Sequence, residues 1–190
     1  DKTFSFAEVV KLAYMNRIHL SAAGFYKTPK IEFDFEKGSG MPFYYFANGA
    51  ATAEVIVDTR TGEYRVVQVD ILHDVGRSLN PAIDIGQIEG GFVQGMGWLT
   101  TEELLWDDTG RLISNSPANY KIPTAYDVPE IFKVSLYDEP NREETIYQSK
   151  AVGEPPVMLA FSVWCALRDA CASVVDYRFN PPMNAPATSE

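Results

Sequence analysis

The chain has 190 residues, 46% of them hydrophobic and 13% aromatic, which is enough for one globular domain or two small packed subdomains and too apolar for a disordered segment. A formal net charge of −10 and a pI near 4.7 give a surface that repels nucleic acid and anionic lipid. No apolar run approaches the ~20 residues that span a bilayer, so neither nucleic acid nor a membrane is an expected partner.

In chain order, residues 4–17 read as a helix, with Phe6, Val9, Val10, Ala13 and Tyr14 at helical spacing and Ser5 with Glu8 as a capping box. Residues 18–41 hold Gly24, Pro29, Gly38 and Gly40 and predict a long connection with one short strand. Residues 43–58 and 63–73, rich in Phe, Tyr, Val and Ile, predict a hairpin around Asp58-Thr59-Arg60-Thr61-Gly62. That turn lacks the alternating acidic residues of a calcium loop. Asn80-Pro81 predicts a capped helix start, continuing to about Leu99. Strand-like residues at 101–106 precede a tight turn at Asp107-Asp108-Thr109-Gly110, and 114–130, with three prolines, reads as irregular. Residues 132–137 alternate as a strand, 140–153 form a loop, and Pro155-Pro156 opens a final helix over roughly 157–175. Residues 176–190 predict a surface tail. The mixture of helices and antiparallel strands predicts an α+β fold. The start, Asp1-Lys2-Thr3-Phe4, has no initiator Met and no signal-peptide pattern, and a piece of a longer polypeptide is expected.

Cys165 and Cys171 fall in one apolar stretch, and on a helix they would lie ~120° apart, badly placed for a bridge or a shared metal. Buried free thiols in a reducing cytoplasm are the expectation. His19 and His73 lack ligand spacing, and no zinc signature is present.

Two segments carry chemistry. Gly86-Gln87-Ile88-Glu89-Gly90-Gly91-Phe92-Val93-Gln94-Gly95-Met96-Gly97 places several glycines inside a helix, each costing about 1 kcal/mol against Ala. Either another backbone packs closely there, or a cofactor approaches, with Gln87 or Gln94 as an amide that donates and accepts. The segment is neither a Walker loop nor a Rossmann fingerprint. Ser149-Lys150-Ala151-Val152-Gly153-Glu154-Pro155-Pro156 presents a carboxylate before two prolines, which are expected to hold Glu154 extended at the start of a helix. Glu154 is then either a fixed functional carboxylate or an anion favoured by the helix dipole.

These two segments, together with Ser78-Leu79-Asn80-Pro81-Ala82-Ile83-Asp84-Ile85, resemble the molybdenum hydroxylase family over about Phe6 to Val175. Gly24-Phe25-Tyr26-Lys27-Thr28-Pro29 and Tyr120-Lys121-Ile122-Pro123 are similar to its xanthine dehydrogenase branch. The resemblance implies the C-terminal portion of a molybdopterin-binding domain, with molybdenum held by the pterin dithiolene and by no protein ligand. It implies that Glu154 is the general base, taking a proton as an electron-poor purine carbon of xanthine or hypoxanthine is hydroxylated towards urate. It further implies that Gln87 bonds near the metal centre, and that Lys150, Ala151, Val152 and Gly153 approach the cofactor with backbone groups. Gln94 is read as structural. The glycine-rich cofactor loop, the substrate-orienting Arg and Glu and the ring-stacking Phe residues of the family are expected outside this sequence. So are the 2Fe-2S clusters and FAD, since no four-Cys cluster spacing occurs here. The expected partners are the remainder of the molybdenum subunit, the iron–sulfur and flavin domains or subunits, and a purine, in a cytoplasmic oligomer. Two other readings share the residues: a molybdenum hydroxylase for an aldehyde or another N-heterocycle, and a non-catalytic α+β interaction module.

Overall fold

The structure is a computed structural model that describes residues 3–189. It comprises two compact units, one ending at Tyr44 and one beginning at Tyr45. In the first, α1 (Phe6–Met15) carries the expected capping box between Ser5 and Glu8, and Asn16 ends it, with Arg17 at φ 56°. None of its residues is buried. Two short strands, β1 (Glu32–Asp34) and β2 (Ser39–Met41), pair antiparallel where one strand was expected.

The second unit is built on β3 (Gly49–Val57), β4 (Tyr64–His73) and β5 (Ile131–Leu136). The β3–β4 hairpin is antiparallel, whereas β5 runs parallel to β4, so the sheet is mixed rather than purely antiparallel. A parallel partner needs a long crossover, and here the entire segment from Asp74 to Glu130 supplies it. The predicted turn forms: Asp58 Oδ1 accepts from Arg60 N at 2.8 Å, and Gly62 takes φ 76°. The register slips between Glu54 and Val55, leaving Val67 as the extra residue of a bulge on β4. That bulge explains why Tyr64 and Val66 face inward on even numbers, whereas Val69, Ile71 and His73 face inward on odd ones.

Strand β3 starts only at Gly49, because Tyr45 and Phe46 bond the distant 150 loop instead of extending the ladder. Residues 101–106 do not form a strand. Thr101 N and Glu102 N both bond the Gly97 carbonyl as the helix ends, and only Trp106 makes a bridge, to Leu112. Their β-propensity is overridden by the helix C-terminus before them and the Asp107–Gly110 turn after them.

One face of the sheet is covered by helices. Helix α2 (Pro81–Thr100), capped by Asn80 with Pro81 in its first turn, lays Ile88, Phe92 and Met96 on the sheet, and Phe92 meets Phe132 with ring centroids 5.4 Å apart. The final helix begins as a 3-10 turn over Pro155–Ala160 and becomes α3 over Phe161–Ser173. Small inward residues of β3, Ala51 and Ala53, let it approach, and its own Val163 and Leu167 are buried in the core. The two thiols depart from expectation: Cys165, on the side of α3 opposite the inward Val163, is exposed, and Cys171 is half-buried. Beyond α3 the chain is mostly exposed, but Ala187 is buried, its N–H bonds the Leu99 carbonyl at 2.7 Å, and Trp164 Nε1 bonds Asn184 O at 3.0 Å. No helix among the described residues is long and apolar enough to cross a membrane.

Candidate functional site

The two glycine- and proline-marked segments meet. Helix α2 and the 153–160 segment pack side by side, and the glycines of α2 divide between two roles. A Cβ on Gly91 would meet Pro156 Cβ at 3.3 Å and Gly153 O at 3.4 Å, and one on Gly95 would run into the Val157 carbonyl. These two glycines serve close backbone packing. Gly86 and Gly90 face nothing within 4 Å. They share the exposed side of α2 with Gln87 and Gln94, so packing within this chain does not explain their cost.

Gln87 lies at the junction, where a Cβ on Gly153 would stand 3.4 Å from Gln87 Oε1. Gln87 and Gly153, the residue before Glu154, are brought together. Gln94, two turns further along, has no such neighbour in the loop.

Glu154 differs from expectation in one respect. Its φ of −101° and ψ of −40° are helical, not extended. Prolines disfavour this conformation in the residue before them. Here the Glu154 carbonyl must turn to accept the Val157 N–H at 3.1 Å and close the first 3-10 turn, and that bond overrides the preference. The side chain makes no capping hydrogen bond and is exposed. It therefore does nothing for the helix that a cap would do, and its carboxylate is presented outward.

Loop 149–153 is tied down on its inner side. Lys150 N donates to the Val75 carbonyl at 2.8 Å, and Ala151 N to Tyr45 Oη at 2.9 Å. Lys150 Nζ pairs with Asp74 Oδ2 at 2.5 Å and donates to Phe46 O at 2.9 Å. Both side chains of the pair are largely buried, at 11% and 15% exposure. The Lys150 ammonium thus points into the protein. Among the described residues no bond engages the N–H of Val152 or Gly153, which leaves two amide donors beside Gln87 and Glu154.

Upstream, Asn141 is buried and organises the 141–149 turn, taking Glu143 N on Oδ1 and giving Nδ2 to Thr145 Oγ1 and Ser149 O. Tyr147 and Gln148 adopt positive φ in succession, which exposes the Gln148 carbonyl to Arg77 N and Asn141 N. His73, 1% exposed, adjoins this cluster at the end of β4. Its Nδ1 has no hydrogen-bond partner, and burial is the chief cause holding its pKa below the usual imidazole range; nearby Asp74 opposes and Lys150 reinforces the shift. Asp74, Tyr45 and Asn141 were not singled out by sequence reasoning. Asp74 has no motif around it, and Tyr45 looked like part of a strand.

A family model of the molybdopterin cofactor-binding domain matches residues 1–129, and the chain belongs to that family. It is 50% identical to xanthine dehydrogenase of Oryza sativa subsp. japonica, over 98% of this chain and 14% of that protein. It is 48% identical to xanthine dehydrogenase/oxidase of Gallus gallus, again over 98% of this chain and 14% of the relative. The chain therefore spans a small part of the curated relatives it matches. Among solved structures, it is similar to quinoline 2-oxidoreductase from Pseudomonas putida 86, with a TM-score of 0.66 and 30% identity over 75% of this chain and 18% of that one. The aldehyde oxidoreductase of Desulfovibrio gigas gives a TM-score of 0.62 at 27% identity, over 80% of this chain and 16% of that one. The resemblance read from the motifs to the molybdenum hydroxylases and their xanthine dehydrogenase branch thus holds over nearly the whole sequence.

The residues fit a pterin cofactor. An added Cβ at Gly86 or Gly90 would meet nothing within 4 Å, the donor–acceptor amide of Gln87 lies beside Gly153, and the N–H groups of Val152 and Gly153 are unengaged. Among the described residues no cluster of three His, Cys, Asp or Glu side chains can hold a metal ion.

Proposed function

We propose that this chain is the C-terminal part of the molybdopterin-binding portion of a xanthine dehydrogenase, and that it supplies the general base for hydroxylation of hypoxanthine and xanthine towards urate. The observation that carries this reading is the meeting of Gln87 with Gly153, the residue before Glu154, where the amides of Val152 and Gly153 are unengaged. The relatives named xanthine dehydrogenase, near 50% identity, favour a purine over the aldehyde or quinoline of the more distant solved structures. The lack of a capping bond from Glu154 argues against a non-catalytic module in which that residue merely caps a helix.

The pterin-bound molybdenum supplies oxygen-transfer and two-electron redox chemistry when present. This chain's residues do the rest. Gln87 donates and accepts through its amide to orient groups near the centre. The N–H groups of Val152 and Gly153 would donate to the cofactor, and the carbonyls of Lys150 and Ala151 would accept from it. Glu154 accepts the proton of the attacking hydroxyl, a step that requires its carboxylate within about 2.6–3.2 Å of the proton-bearing atom. The iron–sulfur clusters and FAD belong to other domains or subunits, and the working enzyme is a cytoplasmic oligomer containing the remainder of the molybdenum subunit.

The test is Glu154→Gln in the full-length enzyme, assayed for metal content. Gln keeps size and most hydrogen bonding but cannot take the proton. Substrate-driven molybdenum reduction should fall by about 10²–10⁴-fold at normal molybdenum loading. A near-normal reductive rate would remove Glu154 from catalysis.

A further inference from the structure

We propose that Asp74, Lys150 and Tyr45 are positioning residues that hold the Glu154 loop at the cofactor site, an inference that rests on Glu154 being the base. Residues 149–153 belong to no helix or strand, so although the Glu154 carbonyl closes the turn that follows, the approach to that turn is not held by regular structure. Reaction geometry is unforgiving, with a misplacement of about 1 Å costing on the order of 10²-fold in rate. The loop therefore needs tethers, and it has them on two sides.

On the outer side Gln87 Oε1 lies beside Gly153, and Gly91 of α2 packs against Gly153 O and Pro156. On the inner side the tethers come from the end of β4 and from the residues before β3. Asp74 is the hub. Its Oδ1 accepts Gly76 N at 2.9 Å, fixing the turn after β4, and its Oδ2 holds the Lys150 ammonium. Gly76 pairs with Ser149 as an isolated bridge, at φ 62°, where a Cβ would collide with the Gln148 carbonyl. Phe46 O takes a further proton of Lys150, and the Tyr45 hydroxyl takes the Ala151 N–H.

A buried ion pair is a poor way to gain stability, since desolvation of both charges offsets most of the attraction. An apolar pair would hold the fold as well. What the charged pair adds is a directional, well-defined geometry, and it is spent four residues before the carboxylate. The Val75 carbonyl and the Tyr45 hydroxyl take the N–H groups of Lys150 and Ala151, so of the loop's amides those of Val152 and Gly153 stay unengaged.

The test uses full-length holoenzyme with four variants: Asp74→Asn, Lys150→Met, the double variant and Tyr45→Phe. Each is assayed for molybdenum, Tm, kcat, KM and amide exchange of the 149–156 peptide. Asp74→Asn strands a buried ammonium and should lower both Tm and kcat. The double variant removes both charges, so Tm should return while kcat stays at least about tenfold low with KM little changed. Tyr45→Phe should leave Tm and metal content intact, speed exchange of the 149–156 peptide about five- to tenfold, and lower kcat. Exchange in α2 should not change in Tyr45→Phe, whose Tm is intact. In a Glu154→Gln background, Asp74→Asn should slow single-turnover reduction no further. Recovery of kcat together with Tm in the double variant would overturn the proposal. Unchanged exchange and turnover in Tyr45→Phe, or an additive loss in the Glu154→Gln background, would do the same. The base assignment fails separately, through a near-normal Glu154→Gln enzyme.

Discussion

His73 shows how one side chain links the sheet to the loop it supports. It is an inward residue of β4, paired with Gly49 and Leu136 across the sheet, and its ring is sealed from water with Nδ1 unbonded. Its pKa is depressed, first by burial, so the folded protein binds a proton at this ring less readily than the unfolded chain does. Stability is therefore fully present above the unfolded value of about 6.5 and is lost as pH falls below it toward the folded value. The full-length protein should show a falling Tm between neutral pH and mildly acidic pH, and His73→Gln should flatten that slope. An unchanged slope in the variant would assign the acid sensitivity to other groups. Because the charges beside His73 are Asp74 and Lys150, acid loosening should reach the loop tethers first.

At the scale of elements, the glycines of α2 separate two demands that a sequence presents as one. Gly95→Ala would drive a Cβ into the Val157 carbonyl, and overpacking of this kind costs about 1–3 kcal/mol. Gly90→Ala meets only open space within the chain, and helix propensity alone favours the change by about 1 kcal/mol. We expect Gly95→Ala to lower Tm, and Gly90→Ala to leave it unchanged or raised while reducing molybdenum content or turnover of the full enzyme. A Gly90→Ala enzyme with wild-type loading and rate would remove that face of α2 from the cofactor site. The sequence made much of this legible. Ser5, Glu8, Asn80, Pro81, Asp58 and Gly62 are local signals, and the caps and turns they predicted are present. What local signals do not carry is partner choice at long range. The β-like 101–106 segment lost its strand to a helix end and a turn, and β5 took a parallel partner some sixty positions away. The residues before β3 exchanged ladder bonds for the 150 loop. For the site, Gln87 and the Gly153–Glu154 turn were visible as unusual residue strings. Asp74 and Tyr45 were not, because an ordinary aspartate and tyrosine gain meaning only from what the fold sets opposite them.

For the molecule as a whole, much apolar surface remains uncovered. In α1, Phe6 is 85% exposed and Tyr14 71%, although the helix has a plain amphipathic pattern. Such a face is built to be covered, in keeping with a chain that spans 14% of its xanthine dehydrogenase relatives. The sheet raises a different issue. Its order is β3-β4-β5, so β3 is an edge, and among the described residues no strand pairs with its outer side. It runs for nine residues and presents Ile56 to solvent at 62% exposure. Open N–H and C=O groups along a strand of this length template the addition of another strand, and the usual protections are charge and irregularity. Glu54, the strand's one charged residue, stands outward beside the β4 bulge. Glu54→Val would remove that protection. The isolated variant chain should form fibrillar, dye-binding aggregates faster than the isolated parent chain, as followed by thioflavin fluorescence and light scattering. Equal rates would show that the edge is guarded by something other than this carboxylate. If the variant aggregates faster, a single carboxylate on the sheet edge, far in sequence from the Glu154 turn, sets how long the isolated chain stays in solution.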